Sequence, residues 1–95
     1  MKVHKIRLLD NNYEIVVANQ LVKKCIEAKI DFIQERLQES NTITIEETER
    51  LKSRINELNA EMRSLDLFME RYDGEDVELE IGATIVMSVK QPEYA

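Results

Sequence analysis

A chain with a single cysteine, Cys25, cannot close an intramolecular disulfide. With a single histidine, His4, it also lacks the ligand set of a zinc site. Gly74 and Gly82 are its only glycines, so neither a phosphate-cradling loop nor a dinucleotide-binding fingerprint can be written from it. No stretch approaches the ~20 uninterrupted apolar residues of a membrane span. The start, Met1-Lys2-Val3-His4-Lys5-Ile6-Arg7, alternates charge with apolar residues instead of presenting the apolar core of a signal peptide. These absences point to a reducing cytoplasm and away from metals, membranes and nucleotide cofactors of those two kinds.

Positive charge is also scarce. The formal net charge is −6, and it is unevenly spread. Residues 1–30 hold six basic and three acidic groups, or +3, and the remainder holds seven basic and sixteen acidic groups, or −9. Most of the molecule would repel a phosphate backbone, so direct nucleic-acid binding is not expected. A hydrophobic fraction of 43% beside 34% charged residues marks a globular rather than a disordered chain. At 95 residues it is one domain. Domains of this size bury only about 60–65% of the surface of their unfolded chains, and self-association would add core.

The strongest pattern present is a heptad. Leu51, Ile55, Leu58, Met62, Leu65, Met69 and Tyr72 recur at alternating spacings of four and three, the seam of one long helix packed along another. Thr44, followed three residues later by Glu47, is a capping box that opens this helix, which is expected over residues 44–72. An earlier helix over residues 19–39 carries two adjacent apolar stripes, Val22/Ile26/Ile30/Ile33/Leu37 and Leu21/Cys25/Ala28/Phe32. Such a helix has to touch two things, the second helix on one side and a sheet face or another subunit on the other. Cys25, at helical spacing with Leu21, Ala28 and Phe32, is expected to be a small buried hydrophobe. The break at Glu39-Ser40-Asn41-Thr42-Ile43 is short, so the helices should form an antiparallel hairpin with arms of roughly 30–40 Å.

The ends of the chain read as strands. Val3–Leu9 and Tyr13–Val17, separated by Asp10-Asn11-Asn12, have the pattern of a β-hairpin, because Asp and Asn tolerate the positive φ of a tight turn. Asp73-Gly74-Glu75-Asp76 is an exit turn with Gly74 as the left-handed cap. Val77, Leu79 and Ile81 then alternate with Glu78 and Glu80, Gly82-Ala83 turns or bulges, and Thr84–Val89 completes a second hairpin over residues 77–89, ended by Gln91-Pro92. The fold class is therefore α+β: a long antiparallel helical hairpin flanked by N- and C-terminal β-hairpins (residues 1–17 and 77–89) that form one antiparallel sheet. In that sheet Lys5 and Arg7 would face Glu78 and Glu80. Leu67 and Phe68 would widen the apolar face where the arm meets the sheet.

No catalytic residues, cofactor or metal are expected. His4 and Cys25 have no partner with which to build a nucleophilic pair, and general acid–base chemistry needs a positioned constellation. Asp73, Glu75 and Asp76 crowd one turn but lack the 12-residue spacing of a calcium loop. The tip of the helical hairpin is more informative. Glu46, Glu47 and Glu49, with Glu39 before the loop, form an acidic cluster that complements the positive end of the second helix. Ile43 and Ile45 beside them are not explained by capping, so Ile43, Ile45, Glu46, Glu47 and Glu49 make a candidate partner-binding tip. Leu21, Cys25 and Phe32, with the seam Leu51, Ile55, Leu58, Met62, Leu65 and Met69, are the candidate residues for helix packing and homo-oligomerisation.

Arg54-Ile55-Asn56-Glu57-Leu58, leading to Val77-Glu78-Leu79-Glu80-Ile81-Gly82-Ala83-Thr84-Ile85-Val86, resembles the junction between coiled coil and β-domain in Gre-type transcript cleavage factors. The resemblance implies a helical hairpin whose acidic tip, with Glu46 or Glu47 as the matching acids, enters the secondary channel of RNA polymerase. The residues themselves favour a non-enzymatic cytoplasmic interaction protein, a small inhibitor or adaptor of the kind phages encode, which acts by occupying a protein partner. An oligomer that sequesters a small ligand such as a nucleotide signal at its subunit interfaces is the other alternative.

Overall fold

The computed structural model describes residues 2–39 and 42–90. Element order is a strand β1 (Val3–Glu14), a helix α1 (Ile15–Gln38), a helix α2 (Ile45–Glu70) and a strand β2 (Glu78–Ser88). The two strands pair antiparallel in a two-stranded ribbon, and the helices form a hairpin that extends from it. The α+β class, the helical hairpin and the joining of both chain ends in one antiparallel sheet are as the sequence indicates.

Neither end folds as a hairpin of its own. Asp10-Asn11-Asn12 runs straight through β1, opposite Gly82, Ile81 and Glu80, and among the described residues only a glycine has a positive φ. The local turn preference of Asp and Asn is outweighed by eleven paired residues along β2, because strand choice is set by what lies alongside the backbone more than by intrinsic propensity. Gly82-Ala83 does not turn either, and the ladder's irregularity sits in the other strand. There Arg7 pairs with Thr84 and Leu9 with Ala83, leaving Leu8 as the extra residue of a β-bulge. Lys5 and Arg7 stand opposite Val86 and Thr84, while Glu78 and Glu80 stand opposite Glu14 and Asn12, so the expected cross-strand ion pairs do not form. Val89 donates its N–H to the Lys2 carbonyl at 3.0 Å, extending the ladder by one step. Gln91-Pro92, read as the end of the pairing, lies outside the described residues.

The bulge decides which side chains share a face. Paired residues point the same way and faces alternate along each strand, so His4/Met87, Ile6/Ile85, Leu9/Ala83, Asn11/Ile81 and Tyr13/Leu79 project from one face. The other carries Val3/Ser88, Lys5/Val86, Arg7/Thr84, Asp10/Gly82, Asn12/Glu80 and Glu14/Glu78. Without the extra residue at Leu8, Leu9 and Tyr13 would fall on the face of Lys5 and Arg7. With it, one face is mostly apolar and the other is polar.

Ile15, Val16 and Val17, read as the end of a strand, are instead the first turn of α1, which leaves β1 directly with Glu14 as its N-cap. Ala18 is fully buried in this turn. From there the first stripe of α1 meets the heptad seam. Ile30, Ile33 and Leu58 form the buried cluster, with Ile26, Leu37, Leu51 and Ile55 packed on it, and Met69 closes the base. All seven seam positions from Leu51 to Tyr72 are buried or half-buried, and a Lys23–Asp66 ion pair of 2.6 Å ties α1 to α2. After α2 the chain turns at Gly74, whose φ of +80° is the left-handed conformation that glycine adopts without Cβ strain.

α2 makes no contact with either strand, and α1 touches them only where it leaves the ribbon. Leu67 and Phe68 are consequently exposed rather than packed on a sheet, Phe68 resting against Tyr72 with ring centroids 5.3 Å apart. The molecule is elongated, 58 × 32 × 17 Å.

Leu58 is 7% exposed at the centre of the core cluster, so Leu58→Ala should lower stability by about 2–5 kcal/mol. Leu67→Ala, at a position 63% exposed on the same helix, should change it by less than about 0.5 kcal/mol. Urea unfolding followed by far-UV circular dichroism checks both.

Candidate functional site

The hairpin tip brings the predicted cluster together. Thr44 adopts an extended conformation and its Oγ1 accepts the Glu47 N–H at 3.0 Å, capping α2, while the Thr48 hydroxyl donates to the Thr44 carbonyl at 2.9 Å. The Glu47 carboxylate does not turn back onto the cap. It faces Arg36 of the other arm, whose guanidinium donates to Glu39 at 3.0 Å and to Glu47 at 3.4 Å. One arginine thus clamps the last turn of α1 to the first turn of α2. The contact is half in solvent, where such pairs contribute up to about 1 kcal/mol.

This clamp sorts the acids. Glu47 and Glu39 are occupied within the fold, whereas Glu46 and Glu49 are exposed and, among the described residues, carry no ion pair. Ile43 is half-buried. Ile45, the first residue of α2, is 82% exposed, the most exposed large apolar side chain among the described residues. The tip therefore presents one bare isoleucine, Ile45, on the same turn as the exposed Glu46 and Glu49.

The second stripe of α1 is not covered. Leu21 is half-buried, Cys25 and Ala28 are exposed, and Phe32 is 63% exposed with only the Lys29 ammonium 5.5 Å above its ring. Cys25 is thus a solvent-facing thiol and not the buried hydrophobe its spacing suggested. Helical periodicity places a residue on a face, but it does not say whether anything lies against that face. Of the residues assigned to helix packing, Leu51, Ile55, Leu58, Met62, Leu65 and Met69 pack within the chain, and Leu21, Cys25 and Phe32 form its open side.

A cleft of about 410 Å³ at the base of the hairpin, between the start of α1 and the end of α2, was not foreseen. Asn19, Gln20, Asp66, Met69, Glu70 and Asp73 line it, and the Asn19 side-chain oxygen is buried there without a hydrogen-bond partner. Reading Ile15–Val17 as a strand put this turn of α1 in the wrong element, which hid the cleft. Its lining sets the apolar side chains of Ile15, Val16 and Met69 beside carboxylates and amides. Among the described residues, no three histidine, cysteine or carboxylate side chains are arranged to hold a metal ion.

His4 on β1 and Cys25 on α1 belong to different elements, and both are exposed. Among the described residues no helix is long and apolar enough to cross a membrane. Comparison with protein-family models, with curated proteins and with solved structures finds no match to this chain.

Removing the cap oxygen in Thr44→Ala should lower stability by about 1 kcal/mol, and Thr44→Ser should restore most of it, as read from thermal unfolding of the three proteins.

Proposed function

We propose that this chain is a non-enzymatic interaction protein of the cytoplasm, which acts by inserting the tip of its helical hairpin against a protein partner and occupying it. The observation that carries this reading is Ile45. An isoleucine 82% exposed at the far end of two packed helices contributes nothing to the fold, whereas a single apolar anchor rimmed by charge is how many small binding surfaces concentrate their affinity. Glu46 and Glu49 beside it favour a partner that is basic around an apolar pocket. The Arg36 clamp supports the same reading, since a tip held rigid loses less freedom on binding.

This reading is preferred to sequestration of a nucleotide signal, because Asp66, Glu70 and Asp73 would set carboxylates against phosphate in the cleft. Entry into the secondary channel of RNA polymerase would use the same tip and is a special case of the same mode of action, with Glu46 as its free acid.

Ile45 and Glu46 are both exposed, so a double variant Ile45→Ser/Glu46→Lys should fold like the parent and lose partner affinity by about tenfold or more. A second variant, His4→Ala/Cys25→Ser, should retain it. Partners captured from a lysate by the immobilised parent, then titrated with both variants, provide the measurement. Loss of binding only in the second variant would overturn the proposal.

A further inference from the structure

The sheet stops after two strands, so β2 has one side paired with β1 and one side open. The Val89 N–H turns toward β1, where it reaches the Lys2 carbonyl. Backbone direction alternates along a strand, so the odd-numbered residues of β2 face β1, while Glu78, Glu80, Gly82, Thr84, Val86 and Ser88 turn their N–H and C=O groups outward. Among the described residues no backbone group pairs with them. A row of unpaired N–H and C=O groups is a template for one kind of occupant, another extended strand. A two-stranded ribbon is also marginal in water, and further strands are what stabilise it.

The two edges of the ribbon differ. Along β1 the bulge at Leu8 interrupts the ladder, and Lys5, Arg7, Asp10 and Glu14 put charges on it. Lysine and bulges are the devices that keep an edge from pairing. β2 is regular over its eleven residues, and from Ile81 to Ser88 it carries neither a charge nor a proline. The edge left open to pairing is therefore that of β2.

The residues of β2 specify the strand that fits it. An antiparallel copy centred on Ala83 pairs the whole strand, with Leu79 opposite Met87 of the second copy, Ile81 opposite its Ile85, and Ala83 opposite its own equivalent. Glu78 and Glu80, the only charges of β2, then fall opposite Ser88 and Val86, whereas a parallel copy in register would set each carboxylate on its own equivalent. Continued past the strand ends, the antiparallel register sets Lys90 against Asp76, both exposed and, among the described residues, without an ion pair. We propose that β2 pairs edge to edge with β2 of a second copy of this chain, antiparallel about a two-fold axis at Ala83, which joins two ribbons into one four-stranded sheet. The backbone agrees with this centre. Gly82 and Thr84 both face outward, so each can exchange hydrogen bonds with the other's equivalent across the axis, and the contact is its own complement, as a closed two-fold interface demands. The helical hairpins leave from opposite ends of the joined sheet, so the proposal is independent of the tip and its partner.

Sedimentation of the full chain from micromolar to several hundred micromolar should show a reversible dimer. Thr84→Pro removes an outward N–H and no bond to β1, so it should keep the parent's far-UV circular dichroism and weaken the dimer about 100-fold or more, while Thr84→Ser leaves it unchanged. If Thr84→Pro fails to fold, cysteine trapping decides. In a Cys25→Ser background, Ala83→Cys should form an interchain disulfide on oxidation, and Met87→Cys, on the same face but far from the axis, should not. A parent chain monomeric at every concentration, a folded Thr84→Pro that dimerises like the parent, or trapping through Met87→Cys and not through Ala83→Cys would each overturn the proposal.

Discussion

Antiparallel pairing of the first strand with the last, over eleven residue pairs, is the contact on which the rest of this molecule depends. It ties together residues some 75 positions apart and anchors the base of the helical hairpin. It also draws Asp10-Asn11-Asn12 into extended backbone, and through the bulge at Leu8 it collects Ile6, Leu9, Tyr13, Ile81, Ile85 and Met87 on one face. Closing so long a loop costs conformational entropy once, after which each added pair extends the ladder at little further loss. A local hairpin at either end would close more cheaply. It would also leave each end a separate two-stranded unit, with nothing to join it to the other.

The second organising contact, the helical seam, is thin. Among the described residues only Ala18, Ile30, Ile33, Leu58 and Met69 are buried apolar side chains, while fourteen large ones are exposed. The chain does not wrap both helices and the ribbon around one core. It builds a rod instead, held along its length by the seam and at its ends by polar contacts, Lys23–Asp66 near the base and Arg36 to Glu39 and Glu47 at the tip.

What such a rod offers is surface rather than an enclosed site. Its tip, the open stripe of α1 and the apolar face of the ribbon are each placed by rigid elements, and each carries apolar groups that the fold itself does not use. The cleft beside Asn19 is a shallow concave feature near the base, and its carboxylates suit it poorly to anionic ligands.

Features governed by local rules were legible in the linear chain. The heptad from Leu51 to Tyr72 packs as its spacing requires, Thr44 caps α2, Gly74 takes the left-handed turn, and the arms are close to their expected length, because each depends on residues within a turn or two of one another. The tip cluster was legible for the same reason, lying within seven consecutive residues. What tertiary structure alone decided was the partner of each surface. Ile15–Val17 became helix, two supposed hairpins became two long strands, and Cys25 and Phe32 were left in solvent, since β-branched residues suit either conformation and periodicity cannot tell a covered face from a bare one. The register of the ladder belongs to this second class. A one-residue bulge between Arg7 and Leu9 inverts every side chain beyond it, and no local preference of those residues outweighs the long-range pairing that places it there.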